Sequence, residues 1–294
     1  MYVITGATGH VGSSIVDQLL SQSVPVRAVI RSETKAESFT SRNVEVALAD
    51  LTNTDALAKA FQGAKVVFVI NPPAYASSNM QAVAVKVSNA LALAVKAAQV
   101  PRIVILSSIG AERSSGTGSI RTTHILEEAL KGTAPQVVIV RCAAFIENWL
   151  SSVLAIKAGQ SPVLNSMYQK LDHKIPHIAT DDIGRVVAEY LTKSDGEVAK
   201  SVLIELEGPE PYSPNDVAKL ISKTLGKTIP AIAMSDDMIW ELCDQLGWPK
   251  TTGDNFIEMM KAYDNSIIYW TTNENSIRVK GKLTLDDVLG KVLN

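Results

Sequence analysis

The first half of the chain alternates short runs of β-branched and apolar residues with longer stretches whose apolar residues recur every three or four positions. Tyr2–Thr5 reads as a strand, and Val11–Ser21 as a helix with Val11, Ile15, Leu19 and Leu20 on one side. The same rhythm gives strands at Val24–Arg31, Val44–Ala49, Lys65–Ile70, Arg102–Ser107 and Gln136–Arg141. Between them it gives helices at Glu33–Phe39, Thr54–Phe61, Asn79–Val100 and Thr122–Lys131. Runs such as VVFVI and RIVIL are apolar throughout, as a strand buried on both faces requires. This alternation predicts an α/β fold: a doubly wound parallel sheet with helices on both faces.

After Arg141 the rhythm changes. Phe145 to Ile175 shows no clear period. Ile183–Thr192 reads as a helix opened by Thr180, Asp181 and Asp182, taken together as its cap. Ser201–Glu207 is a strand expected to return to the main sheet, and Pro214–Leu225 is a further helix. From Ile229 onward the pattern is helical, with aromatics and methionines. Residues 1–150 are therefore expected to form a dinucleotide-binding domain, completed by a returning strand near 201–207. Residues 151–294 are expected to form a smaller, mostly helical substrate-binding lobe over the carboxyl ends of the strands.

Composition narrows the class. Of 294 residues 46% are hydrophobic and 20% charged, enough apolar material for a real core. The formal net charge is -2 and no block of Lys and Arg occurs, so neither nucleic acid nor an anionic membrane surface is an expected partner. Cys142 and Cys243 lie a hundred residues apart and make no disulfide framework; reduced thiols in a cytoplasmic protein are expected. The N-terminus enters a strand at once, with no signal-peptide pattern, and the most apolar helical stretch, Ala82 to Val100, is broken by Lys86, Lys96 and Gln99.

The chemistry begins at the first strand. Thr5-Gly6-Ala7-Thr8-Gly9-His10-Val11-Gly12 carries glycines at 6, 9 and 12 between a strand and a helix. One glycine allows positive φ, one lets the backbone approach a pyrophosphate, and one lets helix and strand pack closely. The phosphates would then sit on free N–H groups at the helix N-terminus. Thr8, His10 and Val11 belong to the same turn. In this context the pattern marks a Rossmann site for a nicotinamide dinucleotide.

The tip of the second strand bears on which one. NAD-specific sites place an acid there for the ribose 2′-hydroxyl. This chain has Arg31, with Lys35 a turn further on. A guanidinium pairs with a 2′-phosphate, which favours NADP(H) over NAD(H); the alternative is a solvated charge at a strand end. Asp50-Leu51 stands where adenine would be contacted, or Asp50 caps the next helix.

The glycine spacing at the extreme N-terminus resembles that of the short-chain dehydrogenase/reductase superfamily. Its Tyr-x-x-x-Lys occurs nowhere in the chain. In its place stand His124 and Glu128, after a strand ending Ser107-Ser108-Ile109-Gly110. The next strand ends at Arg141 and leads into Phe145-Ile146-Glu147-Asn148, and the C-terminal region reads Gly281-Lys282-Leu283-Thr284-Leu285. These features resemble the NmrA-like family, although Cys142 stands where that family usually has proline. The resemblance implies one of two activities. Some members are NADPH-dependent reductases of quinones, dyes or other conjugated acceptors. Others bind NAD(P) as redox sensors that regulate a protein partner.

His124 and Glu128 lie four apart on one helix face. They form either a proton donor with its orienting acid or a packing pair. Ser107 and Ser108 end a strand at the edge where such sheets bind ligands. Asn71-Pro72-Pro73-Ala74-Tyr75 is expected to pass over the cofactor. Tyr75, Phe145, Asn148 and Trp149 are the expected substrate contacts. Trp240, Met259, Met260 and Tyr263 are expected in the core before the pocket. No metal site is expected; His173 and His177 flank Pro176 without a third ligand. A sugar-nucleotide epimerase is disfavoured, because such enzymes use the missing tyrosine. The expected ligand is a small molecule, and the chain a monomer or homodimer.

Overall fold

The computed structural model describes residues 1–271 and 275–293. Its strands are β1 (Tyr2–Thr5), β2 (Val26–Ile30), β3 (Glu45–Leu48), β4 (Val66–Val69), β5 (Arg102–Ser108), β6 (Gln136–Cys142), β7 (Ala144–Phe145), β8 (Leu164–Ser166), β9 (Ile175–Ile178), β10 (Ser201–Glu207), β11 (Pro211–Tyr212), β12 (Ala231–Ala233) and β13 (Ser276–Lys280). Its helices are α1 (His10–Ser21), α2 (Glu37–Thr40), α3 (Thr54–Phe61), α4 (Met80–Ala97), α5 (Arg121–Leu130), α6 (Leu150–Lys157), α7 (Thr180–Thr192), α8 (Pro214–Leu225), α9 (Asp236–Gln245), α10 (Lys250–Asp264) and α11 (Leu285–Leu293).

Among the described residues eight strands form one sheet in the order β13-β10-β6-β5-β4-β1-β2-β3. Every neighbouring pair in it is parallel. Strand order reverses between β1 and β4, the switch point at which doubly wound sheets open a crevice at their carboxyl ends. The apolar runs explain the burial. In β4, Val66 and Phe68 pack on the side of α1 and α7, with Ile15, Leu19 and Val187. Val67 and Val69 pack on the other side with Leu57 of α3, Leu91 of α4 and Leu126 of α5. A separate cluster joins α6, α8 and α11 through Val153, Val217 and Leu289.

Two expectations change in the second half. The region after Ile229 is not all helix: β12 and β13 interrupt it, and β13 pairs with β10 at the sheet edge. The cap expected from Thr180 to Asp182 is not one, since α7 starts at Thr180 and its N-cap, Ala179, offers no side chain. Thr180 instead donates from N–H and Oγ1 to Glu147 Oε1, at 2.8 and 2.7 Å. Asp182 Oδ2 accepts from the N–H groups of Lys282 and Leu283, at 2.7 and 2.8 Å. These bonds tie α7 to the segments before α6 and α11.

Candidate active site

The glycine turn leaves β1 at Thr5, whose hydroxyl donates to the Phe68 carbonyl of β4. Gly6 has φ +63, and a Cβ there would stand 2.7 Å from Ile70 Cγ2. At Gly12 a Cβ would lie 2.1 Å from the Gly6 carbonyl oxygen, so α1 can approach the turn only without one. Gly9 is different. Its φ of -86 and ψ of 168 suit any residue, and a Cβ would meet Gly6 O at an ordinary 3.5 Å. The fold does not ask for glycine at position 9, so the bare backbone there leaves room for something outside the chain. Thr8, Gly9 and His10 are exposed, whereas Val11 is buried. No side chain caps α1, so its first-turn N–H groups remain for another partner.

Arg31 follows β2 directly and is exposed, and its side chain makes no hydrogen bond or ion pair among the described residues. Lys35 is exposed in the next turn. Asp50 Oδ1 accepts from Thr52 Oγ1 and N–H, at 2.6 and 2.8 Å. Those bonds, with Arg31 and Lys86 nearby, hold its carboxyl below the usual range. Asp50 does not cap α3; Asn53 does, accepting from Ala56 N–H at 3.1 Å. Leu51 is half-buried.

A cleft of about 250 Å3 opens at the carboxyl ends of β4, β5 and β6. Asn71, Pro73, Ala74, Tyr75, Ser107, Ser108, Phe145 and Asn148 line it. Pro72 is exposed and does not. Trp149 does not either: it is 7% exposed, buried beside Ile146 and Val153, with its ring 6.1 Å from that of Tyr168. Position 149 ends a 3-10 turn and so faces the α6 core. Tyr75 packs at a tilt against Trp248 and Phe256, at 4.9 and 5.1 Å between centroids. Met259, Met260 and Tyr263 line the cleft, whereas Trp240 lies outside it, bonded to Asp254 under Lys250. Sequence reasoning missed Tyr168, which also lines the cleft and sits where no period was legible. Burial raises the Tyr168 and Tyr263 phenols, so both stay protonated.

His124 and Glu128 do not meet. His124 Nδ1 lies 2.8 Å from the Ala111 carbonyl, so that nitrogen carries the proton. Glu128 is half-exposed and pairs with Lys131, whose ammonium pulls its carboxyl down. Neither lines the cleft. The acid that α5 does bury is its neighbour Glu127, 2% exposed. Glu127 Oε1 accepts from Ser107 Oγ at 2.5 Å and from Arg141 Nε at 2.9 Å, and Oε2 accepts from Arg141 Nη2 at 2.8 Å. The register that sets Ser107 of β5 beside Arg141 of β6 assembles this triad.

A parallel sheet of this order, with its glycine turn at the switch point, defines a Rossmann-type fold. The chain belongs to the NmrA-like family, whose model matches residues 2–282. It is similar to an NAD(P)H azoreductase of Xenophilus azovorans, with 26% identity over 88% of this chain and 86% of the relative. It is also 26% identical to quinone oxidoreductase 2 of Escherichia coli, over 86% and 85% of the two chains. The crystal structure of an Escherichia coli NADPH-dependent quinone oxidoreductase, complexed with NADPH, superposes over the full length of both chains with a TM-score of 0.77 at 22% identity. Among the described residues no cluster of His, Cys, Asp and Glu suits a metal ion, and no helix is long and apolar enough to cross a membrane.

Proposed function

We propose that the chain is an NADPH-dependent reductase of conjugated small molecules such as quinones. One observation carries the reading: the uncapped N-terminus of α1, reached past a glycine the fold does not need, adjoins a largely apolar cleft at the ends of β4 to β6. Residues 1–150 hold the cofactor in this reading, and later segments supply the acceptor side. Gly6, Thr8, Gly9, His10, Val11 and Gly12 cradle the pyrophosphate. Arg31 and Lys35, free at the tip of β2, take the 2′-phosphate, which disfavours NAD(H). Asp50 and Leu51 border the adenine. The relatives' names support the cofactor and the reaction class.

When bound, the cofactor supplies a hydride, leaving the acceptor to take up one proton. This chain offers that proton weakly. Tyr168 and Tyr263 are phenols held protonated by burial, and His124 is turned to Ala111. A simple ketone becomes an alkoxide and needs a good acid. A quinone becomes a phenolate whose conjugate acid titrates near 10, so water or a phenol suffices. Tyr75, Phe145 and the methionines of α10 give a flat acceptor apolar walls. His124 serves here by anchoring the Ala111 segment, and Glu128 takes no direct part.

The test is NADPH oxidation by the purified chain with a naphthoquinone and with an unconjugated ketone. Sustained turnover of the quinone alone is expected. Turnover of the ketone at a comparable kcat/KM contradicts the acceptor class. NADPH binding without turnover on either places the chain among cofactor sensors.

A further inference from the structure

Two polar groups on the cleft wall have their hydrogen-bond direction fixed from behind. The Arg141 guanidinium grips Glu127 through both oxygens and also bonds Glu112 Oε2 at 3.2 Å. Both Glu127 oxygens thus accept from the guanidinium, and a carboxylate so paired offers its neighbours acceptors alone. The Ser107 hydroxyl, 2.5 Å away, must therefore give its proton to Glu127. What Ser107 presents to the cleft is a lone pair. Asn71, 8% exposed, is turned the same way: its Nδ2 donates to the Thr122 carbonyl at 3.3 Å, and its Oδ1 is buried without a donor. Both residues line the cleft; Ser107 offers it a lone pair, while the Asn71 Oδ1 is buried behind the wall.

We propose that Glu127, held by Arg141, positions Ser107 as a hydrogen-bond acceptor, so that the site selects conjugated acceptors carrying an N–H or O–H donor beside the reducible group. The proposal rests on the reductase reading and narrows its substrate class. A ligand without such a donor leaves the Ser107 lone pair unpaired when it displaces water, and a buried unpaired acceptor is costly. An amino-substituted quinone satisfies what a dialkylamino quinone of the same conjugation cannot. Ser107 thus differs from a serine that donates to substrate oxygen, because its one proton is already committed.

The direction of the Ser107 bond can be reversed by one isosteric change. In Glu127→Gln the amide oxygen keeps the bond from Arg141 Nη2, the Arg141 Nε bond is lost, and the NH2 in the place of Oε1 donates to Ser107. Ser107 is left to donate into the cleft. Ser107→Ala removes the group while leaving the Glu127–Arg141 pair intact, so it guards against a folding defect in Glu127→Gln.

The experiment measures kcat/KM with NADPH for an amino-substituted and a dimethylamino-substituted naphthoquinone, in the wild type and both variants. Calorimetry of the same two quinones gives a readout independent of turnover. The wild type is expected to favour the amino compound by about tenfold, the equivalent of one net hydrogen bond. Ser107→Ala brings the ratio toward one, and Glu127→Gln takes it lower still. A ratio unmoved by both substitutions overturns the proposal, since it then reflects bulk alone. So does weakened NADPH binding in Ser107→Ala with the ratio unchanged, which assigns the lone pair to the cofactor. If neither quinone is reduced the reductase reading falls, while the binding ratio still decides whether the acceptor subsite exists.

Discussion

At position 9 the fold would accept a side chain, and at position 12 it would not. Packing thus demands the glycine at position 12 and leaves the one at position 9 to the proposed phosphate site. A valine at Gly9 would fill the space before the α1 N–H groups while meeting its own chain at an ordinary distance. We expect Gly9→Val to lose NADPH affinity by about tenfold to a hundredfold, the loss of charge-assisted bonds to phosphate. Its folding stability should fall by less than about 1 kcal/mol, the effect of a poorer helix N-cap. Gly12→Val forces backbone apart, since the first added atom lands 2.1 Å from the Gly6 carbonyl. It should lose about 3 kcal/mol or more and unfold early. Calorimetric titration beside thermal melting reads both. Wild-type NADPH affinity in Gly9→Val would remove the phosphate site from the account.

The elements show what a sequence pattern carries. The runs in β4, β5 and β6 that are buried on both faces were legible because they are apolar throughout, and β1 to β6 fall within a residue or two of their expected ends. β13 was not legible. It is an edge strand with three of its five residues exposed, so no burial period marks it. β12 is three residues long. On α5 the i to i+4 rule says that His124 and Glu128 share a face, but not which face meets the sheet. Leu126 and Leu130 decide that, and they carry Glu127 inward with them. The signal for Glu127 was Arg141, an arginine ending an otherwise apolar strand, and it becomes readable once the β5 and β6 register is known. The glycine turn after β1 needed no such register, because its residues are contiguous. Tyr168 and the methionines of α10 reach the cleft from segments far apart in sequence, so only the tertiary fold unites them.

At the scale of the molecule, the chain leaves its sheet after β6 and returns twice, as β10 and β13. The cleft is closed from the excursions between, by Tyr168 and by α10. One group in the first excursion couples this architecture to pH. His177 of β9 is 2% exposed, and burial lowers its pKa to about 4 although its Nδ1 bonds the Ile175 carbonyl. The unfolded chain binds a proton near 6.5, above the folded value. Stability is thus unaffected above pH 6.5 and is lost as pH falls from there toward 4, by about 3 kcal/mol at the lower end. His177→Gln should lose that much less between pH 7 and pH 4 in urea titrations. Equal acid losses in wild type and variant would mean that His177 charges without cost.

Hydride transfer at this cleft would show itself in a single turnover. NADPH bound at one equivalent, with deuterium on C4, is mixed with excess naphthoquinone and its oxidation is followed in time. One quinone should be reduced per NADPH, with a slower decay for deuterium than for hydrogen. NADPH that stays bound and unoxidised through the reaction would contradict it and leave a chain that holds the cofactor without using it.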